Sequence, residues 1–230
     1  MFITFEGGEG SGKTTQTRLL AERLVRRRYS VVLVREPGST PLGEQLRRLV
    51  KGTAMSPTAE LLVFGAARAE LVSTVVRPYL ETGRIVLSDR YADSTIAYQQ
   101  YGRDLPADVV AKAINIATGG LKPGLTFLLD LPPDRRSKRA GQSQIALPMG
   151  EAPQARLDDA SQTRFERESL QFHRKVRDGY KALAEQDPQR WVAVDATATI
   201  DAIHDQIRAA VDNRLPAPSK HFVELLDLTE

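Results

Sequence analysis

With 230 residues, 41% apolar and 27% charged, the chain is long enough for one sizeable core, and no apolar run approaches the ~18 residues of a membrane span. The absence of cysteine excludes disulfides and thiolate metal sites, and His173, His204 and His221 lack the spacing of zinc ligands. A net charge of +3 with a pI near 9.2 suits either nucleic acid or a site gripping several phosphates; with no RNP sequence and no helix-turn-helix pattern, nucleic acid is not an expected partner. The amino terminus MFITFEGGEG carries no secretory signal, so a soluble, cytoplasmic protein is expected.

In chain order, Phe2–Glu6 reads as a buried strand and Thr14–Arg28 as a helix whose Leu20 and Leu24 share a face. Between them, Gly7-Gly8-Glu9-Gly10-Ser11-Gly12-Lys13-Thr14 satisfies G-x-x-x-x-G-K-[ST] in the strand-to-helix context that the motif requires. Glycines let backbone amides turn inward around phosphate oxygens, and the helix start adds its positive end. Lys13 then reaches the β- and γ-phosphates, Thr14 is the natural Mg²⁺ ligand, and Thr15 completes the nucleotide-binding set. A nucleoside triphosphate and Mg²⁺ are the ligands this turn predicts.

A second strand, Val31–Glu36, ends in Arg35-Glu36-Pro37-Gly38, where Arg35 is able to fork onto a phosphate. Thr58–Leu80 reads as a helix with Phe64 and Arg68 four apart on one face, to be kinked or ended by Pro78. The strand Ile85–Asp89 runs into Ser88-Asp89-Arg90-Tyr91 and delivers Asp89 to the carboxyl edge of the sheet, where it can hold Mg²⁺ or its waters. Thr126–Leu131 is a fourth strand. From 140 to 160 the sequence AGQSQIALPMGEAPQARLDDA loses all periodicity and reads as a mobile loop. Ser161–Gln186 follows as a core helix carrying Phe165, Phe172, Val176, Tyr180 and Leu183. The strand Trp191–Asp195 and the helix Thr199–Asn213 close the pattern, and the tail beyond Asn213 reads as a docking arm or as disorder. Strands alternating with helices predict a doubly wound α/β fold with a five-stranded parallel sheet.

Across residues 1–212 these motifs, in this order, resemble the bacterial type of the thymidylate kinase family, P-loop nucleoside-monophosphate kinases. The resemblance implies one kinase domain at 1–212, with a lid at about 135–163 and a C-terminal extension at 213–230. It also implies transfer of the ATP γ-phosphoryl group to dTMP and a homodimer. FEGGEGSGKTT is similar to the family P-loop, in which the carboxylate at Glu9 contacts the sugar 3′-hydroxyl. REPGSTPLGEQLR implies that Arg35 holds the acceptor phosphate while Glu36 organises the site. ELLVFGAARAELV looks like the base-reading helix, with Phe64 stacked on thymine and Arg68 bonded to its edge. DRYADSTIAYQ implies that Arg90 binds phosphate and that Ser94, Thr95, Tyr98 and Gln99 line the nucleoside pocket, Tyr98 standing against a ribose 2′-hydroxyl.

The resemblance departs at the lid, where Thr163-Arg164-Phe165-Glu166 replaces Asp-Arg-x-Glu. Since the P-loop offers no arginine, the guanidinium of the transition state is assigned to Arg139, Arg156 or Arg164. The P-loop reports the donor and not the acceptor, so a kinase for dUMP remains an alternative. An NTP-driven switch protein is a second, although a guanine-specific one would carry an N-K-x-D segment, which this sequence lacks.

Overall fold

The computed structural model describes residues 1–135, 164–215, 218 and 223–229. Six strands, β1 (Phe2–Glu6), β2 (Val31–Arg35), β3 (Ile85–Asp89), β4 (Leu125–Asp130), β5 (Trp191–Asp195) and β6 (Leu225–Asp227), form one parallel sheet in the order β5-β4-β1-β3-β2-β6. β1 is central and buried at every position, as a parallel strand covered on both faces must be.

The helices are α1 (Lys13–Arg26), α2 (Pro41–Gly52), α3 (Pro57–Leu71), α4 (Arg77–Glu81), α5 (Ala92–Thr95), α6 (Ala107–Thr118), α7 (Leu170–Gln186) and α8 (Ile200–Asp212). Side-chain caps fix several of their starts: Thr40, Ser56, Ser169 and Thr199 each accept an amide three residues on. Leu20 and Leu24 of α1 join Ile203, Ile207 and Val211 of α8 over one sheet face. On the other face, Leu71, Val75 and Val76 cover Val32, Val34 and Val86, while Phe172, Val176 and Tyr180 of α7 cover Leu128 and Trp191.

Three expectations are corrected. The sheet has six strands, not five, because Leu225–Asp227 pairs with Val31–Leu33 and covers the edge of β2; its alternation of exposed and half-buried residues leaves no apolar run to find. The helix expected from Ser161 begins at Leu170, capped by Ser169. Arg164 and Glu168 are drawn into ion pairs with Glu60 and Arg103 in the turns before it, and Phe165 enters the core from there. Pro78 does not end the helix at its own position: a π-helical turn at Val72–Val76 precedes it, and it stands in the first turn of α4, which stops at Glu81. The expected lid, with Arg139 and Arg156, lies outside the described residues save for Arg135.

Candidate active site

The sheet register lines the candidate residues along one edge. Phe5 of β1 and Arg35 of β2 both stand opposite Asp89 of β3, Glu36 donates its amide to Asp89 O at 3.0 Å, and Arg90 donates its own to Phe5 O at 2.9 Å. This is the carboxyl edge, where open parallel sheets place ligands.

The P-loop turn begins at Gly7, whose φ of 135° and close neighbour, the Leu129 carbonyl of β4, admit no side chain: a Cβ there would lie 2.5 Å from that oxygen. Gln16 makes the first bond into α1, to Gly12 O at 3.0 Å, so the amides of Lys13, Thr14 and Thr15 precede the intrahelical ladder. Lys13 Nζ donates to Gly7 O at 3.1 Å, Gly8 O at 2.8 Å and Ser11 Oγ at 3.4 Å. Burial, with Arg90 nearby, lowers its pKa to about 8 against the pull of Asp89, Glu9 and Glu6.

Thr14 Oγ1 donates to Asp89 Oδ2 at 2.5 Å, so two hard oxygen atoms that could hold a cation sit side by side. Among the described residues no cluster of three or more His, Cys, Asp or Glu could hold a metal. A cation at this pair has to complete its shell with phosphate oxygens and water, which is the habit of Mg²⁺.

Behind the turn, Arg90, in the left-handed region at φ 75°, is gripped from five sides. Nη1 donates to Gly7 O, Ser94 Oγ and Tyr180 Oη at 3.1, 3.2 and 3.2 Å, and Nη2 donates to Glu9 Oε1 and Tyr98 Oη at 3.2 Å each. Tyr98 Oη in turn donates to Glu9 Oε1 at 2.5 Å. Burial pushes the Glu9 carboxyl up, but Arg90, Lys13 and the Tyr98 hydroxyl outweigh it and hold it below the ordinary value. Its other oxygen, Oε2, is buried with no hydrogen-bond donor and lies 3.7 Å from His173 Nδ1.

A third cluster surrounds Arg68, which is only 2% exposed. Its Nε donates to Glu36 Oε2 at 2.8 Å, Nη1 to Thr95 Oγ1 at 2.8 Å and Nη2 to Tyr91 O at 3.1 Å, and Nη2 also pairs with Glu36 at 2.7 Å. Among the described residues each of the three guanidinium nitrogens thus makes a hydrogen bond, and Nη1 keeps a second proton. One turn back on α3, Phe64 is half-buried with its ring 5.9 Å from that of Phe165.

This geometry is matched by what the chain resembles. The thymidylate kinase family model matches residues 5–207. The chain belongs to the thymidylate kinase family. The thymidylate kinase of Roseiflexus castenholzii is 48% identical over 220 residues, covering 92% of this chain and 93% of that one. That of Herpetosiphon aurantiacus is 44% identical over 227 residues, covering 94% and 96%. The crystal structure of thymidylate kinase from Ehrlichia chaffeensis superposes with a TM-score of 0.70 at 32% identity, covering 92% of this chain and 98% of that one. The chain is a phosphotransferase of this family, and the switch-protein alternative is not favoured.

Within this thymidylate kinase family member, the structure brings Lys13, Glu9, Arg90, Ser94 and Tyr98 into one cluster and Glu36, Arg68 and Thr95 into another. Arg35 lies at the same edge but donates to Glu44 at 3.2 and 3.3 Å, with its Nε buried and without an acceptor. Arg164 stands apart from the P-loop, donating to Glu60 Oε2 at 2.5 Å. Gln99 is in the same assembly, its amide 2.7 Å from Glu60 Oε1. Glu60, fully buried and also bound by Arg103 at 3.3 Å, is a hub that the sequence does not announce, although it stands one turn before Phe64 on the same helix. Glu6 and Tyr180 were also missed as polar groups, since one sits in an apolar strand and the other reads as core packing.

Proposed function

We propose that the ATP γ-phosphoryl group passes to a phosphate oxygen of dTMP between Lys13 and Arg90, giving dTDP and ADP. One observation carries this reading: Lys13 Nζ and Arg90 Nη1 lie 3.1 Å from the same carbonyl oxygen, that of Gly7. Two buried cations sharing one acceptor repel each other, and two phosphates end to end relieve that repulsion.

In the transfer, an acceptor phosphate oxygen forms a bond to the γ-phosphorus while the bond from that phosphorus to the β,γ-bridging oxygen breaks. No side chain becomes covalently attached. Lys13 and the first amides of α1 meet the donor phosphates, and Arg90 meets the acceptor phosphate. Arg35, with an unused buried Nε, supports it from β2. Thr14 and Asp89 are the residues to hold Mg²⁺, whose chemistry when bound is neutralisation of the β- and γ-oxygens. The remaining transition-state guanidinium comes from Arg139, Arg156 or Arg164.

On the acceptor side, Glu9 Oε2, a buried acceptor without a donor, suits the sugar 3′-hydroxyl. Tyr98, locked between Glu9 and Arg90, fills the space of a 2′-hydroxyl and favours deoxynucleotides. Phe64 stacks on thymine, and the second proton of Arg68 Nη1 meets its edge, with Glu36 and Thr95 holding that guanidinium in place and Gln99 and Ser94 completing the wall. The enzyme works in the cytoplasm as a homodimer. Leu62 of α3 (62% exposed) and Ile116 of α6 (81%), on two helices that pack together, support such a face, and sedimentation checks it. The experiment for the whole reading is coupled ADP release with dTMP, dUMP, UMP, CMP, AMP and no acceptor. It expects turnover with dTMP above all others, and equal rates with and without acceptor would end it.

A further inference from the structure

Tyr180 lies on α7, 90 residues from Arg90, yet its hydroxyl ends on that guanidinium at 3.2 Å. The same hydroxyl is 3.0 Å from Glu6 Oε2 and 2.8 Å from Ser94 Oγ, while Ser94 Oγ is 2.6 Å from Glu6 Oε2. Tyr180 is 1% exposed and Glu6 is fully buried. The other oxygen of Glu6 accepts the Tyr91 amide at 2.8 Å, beside Arg90 in the chain. Glu6 therefore holds the backbone after Arg90 with one oxygen and two hydroxyls that face the Arg90 side chain with the other.

The protons can be counted. A phenol and an alcohol carry one each. With Glu6 charged, Ser94 gives its proton to Oε2 and Tyr180 turns its own to Oε2 or to Ser94 Oγ; either way both hydroxyl oxygens, 3.2 Å from Arg90 Nη1, keep a lone pair for the Nη1 proton that Gly7 O does not take. With Glu6 protonated, its own O–H takes up a hydroxyl lone pair, and a displaced hydroxyl proton is left facing the other hydroxyl or the guanidinium. The charged arrangement is the one that aims Arg90.

On the reading that Arg90 holds the acceptor phosphate, we propose that Tyr180 is a positioning residue for the transfer, acting with Ser94 and Glu6 to fix the Arg90 guanidinium. α7 packs against the segment Ile96–Gly102 that carries Tyr98, so this contact ties the aim of Arg90 to a helix distant in sequence.

The supporting electrostatics concern Glu6. Burial and then Asp93 raise its pKa to about 7, against Ser94, Arg90 and the Tyr91 amide, while Lys13 and Arg68 also feel its charge. Removing the Tyr180 hydroxyl takes a donor from the carboxylate and moves its titration to higher pH.

The test is a double-mutant cycle on the full chain: parent, Tyr180→Phe, Arg90→Lys and the pair, by coupled ADP release with dTMP varied at saturating ATP. Tyr180→Phe is expected to lower kcat about tenfold and to leave the KM for ATP within about twofold. In the Arg90→Lys background the same change should cost less than about twofold, because the group it acts through is already displaced. The acid limb of kcat should move to higher pH in Tyr180→Phe and disappear in Glu6→Gln. Parental kcat in Tyr180→Phe, full multiplication of the two losses, or an unmoved acid limb overturns the proposal, even where the melting temperature falls. Ser94→Ala removes the companion hydroxyl from α5 and runs the same cycle should Tyr180→Phe not accumulate folded. Two controls separate this proposal from the reading beneath it: a parent that makes no dTDP ends the assignment of the reaction, and Arg90→Ala with parental KM for dTMP ends that of Arg90. Failure of the Tyr180 arm alone leaves both standing.

Discussion

Lys13 and Arg68 are both buried cations, but they differ in what replaces them when they are removed. The hydrogen-bond acceptors of Lys13 are carbonyls and a hydroxyl, none of them charged, so Lys13→Ala should fold and lose about 2–4 kcal/mol of transition-state stabilisation. Coupled ADP release at varied ATP measures this, and turnover near the parent's would contradict the role of Lys13. Arg68 neutralises Glu36 inside the protein, so Arg68→Ala leaves a buried carboxylate alone and should cost about 3–5 kcal/mol of stability as well as dTMP affinity. Urea unfolding and the KM for dTMP check the two halves, with the KM for ATP nearly unchanged. An unaltered KM for dTMP would reject base reading by Arg68. The P-loop was legible because its chemistry is local, eight consecutive residues between a strand and a helix. Phe64 and Arg68 lie on the same helix as the spacing predicts, because four residues make one helical turn. That Arg68 would meet Glu36 across 32 residues, or Tyr180 meet Arg90 across 90, has no signal in spacing. A buried tyrosine on a core stripe looks the same whether its hydroxyl is used or not.

At the scale of elements, periodicity located β1 to β5 and α1 and α8 to within one or two residues, since each buries a regular stripe. It failed where side chains left the helical path for an ion pair, as Arg164 and Glu168 do before α7, and where an element stays half exposed, as β6 does. The role of β6 can be measured. Val31 donates to Glu224 O at 2.8 Å and Leu228 to Leu33 O at 2.9 Å, so truncation after residue 215 strips backbone partners from β2. It should cost about 1–3 kcal/mol and open an edge that invites aggregation, while kcat stays near the parent's because Arg35 lies beyond the paired residues. Urea midpoints and light scattering read the first two effects. A truncated chain as stable and monodisperse as the parent would assign β6 no structural role.

For the molecule as a whole, the buried Glu6 makes stability depend on pH in an unusual direction. Its pKa is 4.5 ordinarily and about 7 in the fold, so between these values the folded chain holds more protons than the unfolded one. Its contribution to stability therefore falls as pH rises from about 4.5 to about 7, by at most about 1.4 kcal/mol per pH unit. Urea midpoints of the parent relative to Glu6→Gln should decline across that window and level off above it; a constant difference would mean that Glu6 does not titrate there.

The strand order carries a consequence for how this chain comes into being. β1 lies between β3 and β4, and the Leu129 carbonyl that presses on Gly7 comes from β4. As the nascent chain leaves the ribosome, α1 can cover one face of FITFE early, but its second edge must wait well over a hundred further residues for β4. Until then that edge is open to chaperones and to neighbouring copies. The close approach that bars a side chain from Gly7 is therefore made only once β4 is in place, so the glycine-rich turn meets its neighbouring strand late.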